Sequence, residues 1–139
     1  MQHYSVSVAG VMIDDDKRAL LIHRRDNAHW EPPGGVLEVN ERIEDGLRRE
    51  VKEETGLEVE PIALTGVYKN MKRGVLALVF RCSIVGGSLT TNSEVSDFLW
   101  ATKDEIGGMV AEAFAVRVLD AYRCGGPVAI REHDGVSLI

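Results

Sequence analysis

Glu50, Glu53 and Glu54 are spaced i, i+3 and i+4. On a helix that spacing sets three carboxylates on one face within a single turn. Such a face repels itself. A hard divalent cation relieves the repulsion, and oxygen donors at this density suit Mg²⁺ or Mn²⁺. Taken alone, Glu-x-x-Glu-Glu is more often a solvated acidic face, offset here by Arg48, Arg49 and Lys52. The surrounding stretch is also acidic, with Glu38, Glu41, Glu44, Asp45, Glu58 and Glu60 close by. The other groups able to do chemistry are scattered. Arg24 and Arg25 are adjacent cations, Trp30 offers a stacking ring, and Glu94 is a separate acid six residues before Trp100. Lys69, Lys72 and Arg73 read as a solubilising turn. His3, His23, His29 and His133 show no metal-ligand spacing and receive no role. Cys82 lies in an apolar strand pattern and reads as core, and Cys124 as a bystander at a helix end.

The elements that must position these groups follow from periodicity. Tyr4–Ile13 and Ala19–His23 read as two strands of a hairpin around Asp14–Lys17. Residues 27–35, with Pro32, Pro33, Gly34 and Gly35, read as an irregular loop. A helix is predicted over 41–55, with Asn40 as N-cap and an apolar stripe of Ile43, Leu47 and Val51. Gly56 should stop it. Strands are expected at Ile62–Tyr68 and Val75–Ile84 around a turn at 69–74, with a short strand at Phe98–Trp100. Thr102 and Glu105 form a capping box. Val110, Phe114, Val118 and Ala121 then mark a last helix ended by Gly125-Gly126-Pro127, and one short strand candidate lies in the tail. Strands, helix, strands, helix without regular βαβ alternation indicates α+β or α/β sandwich architecture.

Composition bounds the rest. At 139 residues the chain is expected to be one domain, 1–139. It is 45% hydrophobic and 27% charged, ordinary for a globular chain and unlike a disordered one. Apolar runs such as Val75–Phe80 are too short to span a bilayer. With no secretory signal visible and only two cysteines, a cytoplasmic protein with reduced thiols is expected. The net charge of −6 argues against a general nucleic-acid binder, which would present a basic face.

One arrangement reverses the weighing of the acidic face. The chain reads Gly35-x5-Glu41-x7-Arg49-Glu50-Val51-x-Glu53-Glu54-x-Gly56-Leu57, preceded by Pro33-Gly34. This resembles the box of the Nudix hydrolase family at every fixed position. Asn40, where many members have Gly, is a mild departure, since Asn tolerates cap and left-handed conformations. The resemblance implies a Nudix-type α/β/α sandwich with a mixed β-sheet between helices. It also implies a metal-dependent pyrophosphohydrolase that cleaves the diphosphate bond of a nucleoside diphosphate linked to another moiety. Carried over by position, Glu50, Glu53, Glu54 and the Gly34 carbonyl would hold Mg²⁺ or Mn²⁺, with Arg49 steadying a carboxylate. The general base would be a box glutamate or Glu94. Arg25 would contact substrate phosphate and Trp30 could stack a base. A small nucleotide-type substrate is expected rather than long nucleic acid or a membrane, and a homodimer is compatible with the resemblance. The alternative is a non-catalytic nucleotide-binding or regulatory domain on the same fold; the complete set of box carboxylates argues against it.

Overall fold

The structure is a computed structural model that describes residues 2–139. Its elements in chain order are β1 (Ser5–Met12), β2 (Ala19–Arg24), β3 (Trp30–Glu31), β4 (Gly34–Val36), α1 (Ile43–Thr55), β5 (Leu57–Asn70), β6 (Val75–Gly87) and β7 (Val95–Ala101). They are followed by α2 (Lys103–Met109), α3 (Glu112–Asp120) with a 3₁₀ turn over Ala121–Arg123, and β8 (Ala129–His133). A five-stranded mixed sheet has the order β4-β1-β6-β5-β8, and a three-stranded antiparallel sheet the order β3-β2-β7. In the larger sheet β1 runs parallel to β6 and β5 parallel to β8.

Alternation along the strands builds two apolar layers. Val8 and Met12 of β1, Leu20 of β2, and Phe80 and Cys82 of β6 face α1, where Leu47 and Val51 are fully buried. Ala9 and Val11, Leu21, and Ala77 and Val79 face the other way, onto Ile106 of α2 and Ala115 and Val118 of α3. Fully burying a Leu or Val is worth about 1.5–3 kcal/mol each. Leu47 and Val51 therefore clamp α1 to the sheet and set which helix face remains for chemistry. No helix among the described residues is long and apolar enough to cross a membrane.

The sandwich is the expected one, and Cys82 is core, but several local expectations are corrected. The first two strands do not pair as a hairpin. Beyond an isolated bridge between Ile13 and Ala19 they diverge into different sheets, because β6 and β7 supply each with a longer partner. Residues 27–35 are not a plain loop but contain β3 and the start of β4, which pair with β2 and β1. Helix α1 starts after Arg42, two residues beyond Asn40, with no side-chain cap bond. Ile43 is 45% exposed and leaves the predicted stripe. The strands β5 and β6 are longer than predicted. Their apolar patterns are broken by bulges near Pro61 and Gly66, which hide the continuous pairing. Gly56, at φ +82, does end α1, and the Thr102–Glu105 capping box forms.

Candidate active site

The site lies where α1 crosses the start of β4. Glu54 is 6% exposed, and its Oε1 accepts the backbone N–H of Gly34 at 2.7 Å. The β1–β4 register explains this donor. Gly10 bonds Pro33 and Leu37 bonds Val6, so Gly34 occupies a position between bonded pairs, and its N–H and carbonyl both turn off β1. A side chain at residue 34 would collide with the Val8 carbonyl at 2.2 Å. At residue 35 a Cβ would lie 2.1 Å from Glu50 Oε2, so Gly35 is the hollow that receives the Glu50 carboxylate. Gly46 is costly within a helix by about 1 kcal/mol. It leaves room for Leu37 and for the Glu41 carboxylate, whose Oε1 would sit 2.8 Å from an added Cβ.

Arg49 is the hub of the acidic face. Its Nη2 and Nε donate to the two oxygens of Glu41 at 2.6 and 2.9 Å, and its Nη1 donates to Glu50 at 2.8 Å and reaches Glu53 at 3.3 Å. This fork holds the Glu41 carboxyl down at about 2, helped by the N–H of Glu38. Glu41 is therefore the anchor of Arg49. Glu50 is pushed up by desolvation, and the Arg49 contact opposes that rise. Glu53 faces outward, with its side chain 58% exposed. Glu54 has no such cation. Desolvation, with smaller repulsions from Glu31, Glu50 and Glu94, pushes it up to about 8, against the lowering effect of the Gly34 N–H.

Two contributors were missed at the sequence level. Glu31, in β3, is partly buried, is itself pushed up by burial, and lies within charge range of Glu54. Its ion pair is with Arg24, at 3.2 Å. Only the strand it occupies brings it to the site, although its place three residues before Gly34 was a usable hint. The second is Asn92. Its Nδ2 donates to the carbonyls of Glu53 (3.1 Å) and Glu54 (3.0 Å) at the end of α1. Its Oδ1 accepts the N–H groups of Glu94 (2.9 Å) and Val95 (3.0 Å), and its own carbonyl accepts Arg25 Nε at 2.8 Å. One side chain thus joins the acidic helix, the Glu94 turn and Arg25.

The bulge in β2 between His23 and Arg24 splits the neighbouring arginines. Arg24 pairs with Asp26 and Glu31, whereas Arg25 is exposed and bonds Glu94 through its backbone N–H; both arginines border a cavity of about 380 Å³ with Asp26, Ser93 and Glu94. Trp30 lies half-buried against His23, ring centroids 4.6 Å apart, and packs on the core. The structure thus brings Gly34, Glu50, Glu54, Glu94 and Arg25 to one region, with Arg49 and Glu53 on its outer side.

Among the described residues, no three acidic, imidazole or thiol side chains already converge at coordinating separation. Arg49 draws Glu50 and Glu53 to itself, and Glu54 bonds Gly34. The donor set nevertheless suits a hard divalent ion. It is all oxygen, it is acidic, and its most buried member lacks a counter-charge.

The NUDIX domain model matches residues 3–121, so the chain belongs to the Nudix hydrolase family. It is 54% identical to a MutT-like protein of Streptomyces ambofaciens over 136 residues, covering 98% of this chain and 88% of that protein. It is 35% identical to an ADP-ribose pyrophosphatase of Methanocaldococcus jannaschii over 102 residues, 68% of this chain and 60% of the relative. A crystal structure of a UDP-X diphosphatase shares the fold at a TM-score of 0.81 with 18% identity, covering 94% of this chain and 68% of that one.

Proposed function

We propose that the chain is a Mg²⁺- or Mn²⁺-dependent pyrophosphohydrolase that cleaves the diphosphate of a small nucleotide-type substrate. The observation that carries this is Glu54: a carboxyl 6% exposed with no cation against it, its Oε1 bonded to the Gly34 N–H, one turn along α1 from Glu50. Such a cluster is costly unless a cation completes it. Glu50, Glu53, Glu54 and the Gly34 carbonyl are the residues that would hold the ion. When bound, a divalent ion neutralises developing phosphate charge and acidifies water.

The chain's own residues account for the remaining roles. Arg49, anchored by Glu41, holds Glu50 and Glu53 in a fixed orientation. Arg25, beside Glu94 and open to the cavity, supports the substrate's phosphate. Glu94, on a turn set by Asn92, takes the proton from the attacking water in this reading. The family relationship and the pyrophosphatase and diphosphatase activities named for two of these similar proteins support the reaction class.

The test is a metal-supplemented panel of nucleoside triphosphates, nucleotide sugars, ADP-ribose, dinucleoside polyphosphates and NADH, with products identified. A nucleoside monophosphate product whose appearance stops in excess EDTA is expected. Undiminished turnover in EDTA, or no turnover of any diphosphate, contradicts the proposal.

A further inference from the structure

At one end the hairpin of β5 and β6 outruns the strands beside it. β1 pairs with β6 only as far as Cys82, opposite Met12, and β8 pairs with β5 only from Gly66 onward. Residues 57–61 of β5 and 83–87 of β6 therefore form a two-stranded ribbon, and each strand has one edge with no partner strand among the described residues. An open edge offers unpaired N–H and C=O groups to any other strand, and proteins usually blunt it with charges or proline. The β5 edge is blunted in this way. Glu58, Glu60 and Pro61 lie along it, and α1 pairs with both acids, Lys52 Nζ at 2.9 Å from Glu58 and Arg48 Nη2 at 2.8 Å from Glu60. The β6 edge is not: Ser83, Ile84, Val85 and Gly86 carry no charge.

The open edge is also apolar and hollow. The ladder shifts register at Val85, which has no opposite residue in β5, since Ile84 faces Val59 and Gly86 faces Glu58. A bulge of this kind re-aims side chains. Here it presents two successive apolar residues, Ile84 at 43% and Val85 at 60% exposed. Ile62, close by on β5, is 59% exposed. A cleft of about 340 Å³ lies at this edge, lined by Ser83, Ile84 and Ile62 of the hairpin, by Met12 and Ile13 at the end of β1, and by Trp100 of β7. None of these residues belongs to the glutamate site.

Projecting side chains and a cleft on the same patch make that patch complementary to itself, which is what a two-fold dimer interface requires. Charge fixes the orientation. Arg81 stands at the β1 end of the free stretch and borders the cleft. Glu58 stands at the other end, its carboxylate against Gly86, where an added Cβ would lie 2.7 Å from Oε2. An antiparallel pair brings Arg81 of one copy toward Glu58 of the other, whereas a parallel pair would bring like charges together. We propose that a second copy of this chain docks here, β6 against β6, antiparallel about a two-fold axis, with Ile84 and Val85 of each copy in the other's cleft. The patch is small, so the association is weak on the scale of protein interfaces.

The test is sedimentation equilibrium of the wild type, Val85→Lys and Ile130→Lys from about 5 to about 500 µM, a range suited to a weak interface. Hydrogen exchange of the wild type is measured at both ends of that range. The wild type should pass from monomer to dimer, and the amides of residues 83–86 should exchange about threefold or more slowly at the high concentration. Val85→Lys sets like charges across the two-fold axis and should weaken the dimer by about tenfold or more. Its Tm at the low concentration should be that of the wild type, because Val85 is exposed. Ile130→Lys, on β8 and 76% exposed, removes a more exposed apolar side chain and should leave the dimer constant within about twofold. A wild type that stays monomeric at about 500 µM overturns the proposal, as an edge reserved for another protein would give. So does a dimer that Val85→Lys leaves intact or that Ile130→Lys disperses instead, as contact through another face would give. If Val85→Lys does not fold, the wild type decides alone, and exchange at residues 83–86 that ignores concentration contradicts the proposal.

Discussion

Glu54 carries the sharpest consequences at the scale of single residues. Its carboxyl is pushed up to about 8 by burial and neighbouring acids, whereas an unfolded chain leaves it at the ordinary value near 4.5. A raised folded value means that the protonated form fits the metal-free fold. The stability it allows is complete below about 4.5 and is lost as pH rises through about 8. Thermal unfolding of the metal-free protein should therefore show Tm falling between pH 5 and pH 8. Glu54→Gln should flatten that slope and hold a higher Tm at pH 8. The same variant should lose turnover by more than the about 10–100-fold expected for Arg49→Ala, which only orients carboxylates. A Glu54→Gln enzyme with near-normal kcat and an unchanged pH slope would remove Glu54 from the site. The glutamate trio was legible because helical spacing alone predicts its face. Its division of labour was not, since Glu53 faces water and Glu54 the interior only once Leu47 and Val51 fix the rotation of α1.

At the scale of elements, the site is a junction of α1, β4 and the turn before β7. Gly35 gives the Glu50 carboxylate its hollow, so Gly35→Ala should weaken Mn²⁺ binding by about tenfold or more, within the range for lost orientation of a ligand. Circular dichroism should remain that of the wild type, and unchanged Mn²⁺ affinity would show that Glu50 does not need that space. Asn92 makes the junction rigid. Asn92→Ala should lower kcat by about tenfold with little change in KM, because it frees the Glu94 turn and the end of α1 without touching the substrate. Asn92→Asp should not rescue it, since a carboxylate cannot donate to the Glu53 and Glu54 carbonyls and adds charge beside the acids. Steady-state kinetics on both variants checks this. The helices and most strands were readable from apolar periodicity, capping signals and Gly56. Asn92 was not, because a loop Asn is ordinary in sequence and its two bonds to the Glu53 and Glu54 carbonyls exist only once the turn before β7 meets the end of α1. The false hairpin of β1 and β2 has the same origin: local spacing suggested it, and distant partners outcompeted it.

At the scale of the whole molecule, net charge and layering matter more than any one bond. A chain of net charge −6 repels a polyanion wherever no cation intervenes. Its cations are also spent locally, Arg24 on Asp26 and Glu31, and Arg48 on Asp45 and Glu60. On that charge balance a small nucleotide diphosphate should be hydrolysed with higher kcat/KM than a 5′-capped RNA at physiological salt. A reversed preference would mean that folding has assembled a basic surface elsewhere. The composition and the box indicated the fold class and the reaction class. They were silent on Arg117 and His133, which were ordinary residues of a helix and a tail until β8 paired with β5 and buried them together.

The central claim is that the Glu50–Glu54 face, closed by Gly34 and Gly35, exists to hold a divalent cation. Mn²⁺ titration followed by electron paramagnetic resonance measures this without reference to any substrate. The wild-type protein should bind Mn²⁺ saturably and competitively with Mg²⁺. Glu54→Gln and Glu50→Gln should weaken it by at least about tenfold, as the loss of a charged oxygen ligand requires, and Asp15→Asn, in an exposed turn, should leave it unchanged. Equal Mn²⁺ affinity in all four proteins, or none in the wild type, would contradict the claim.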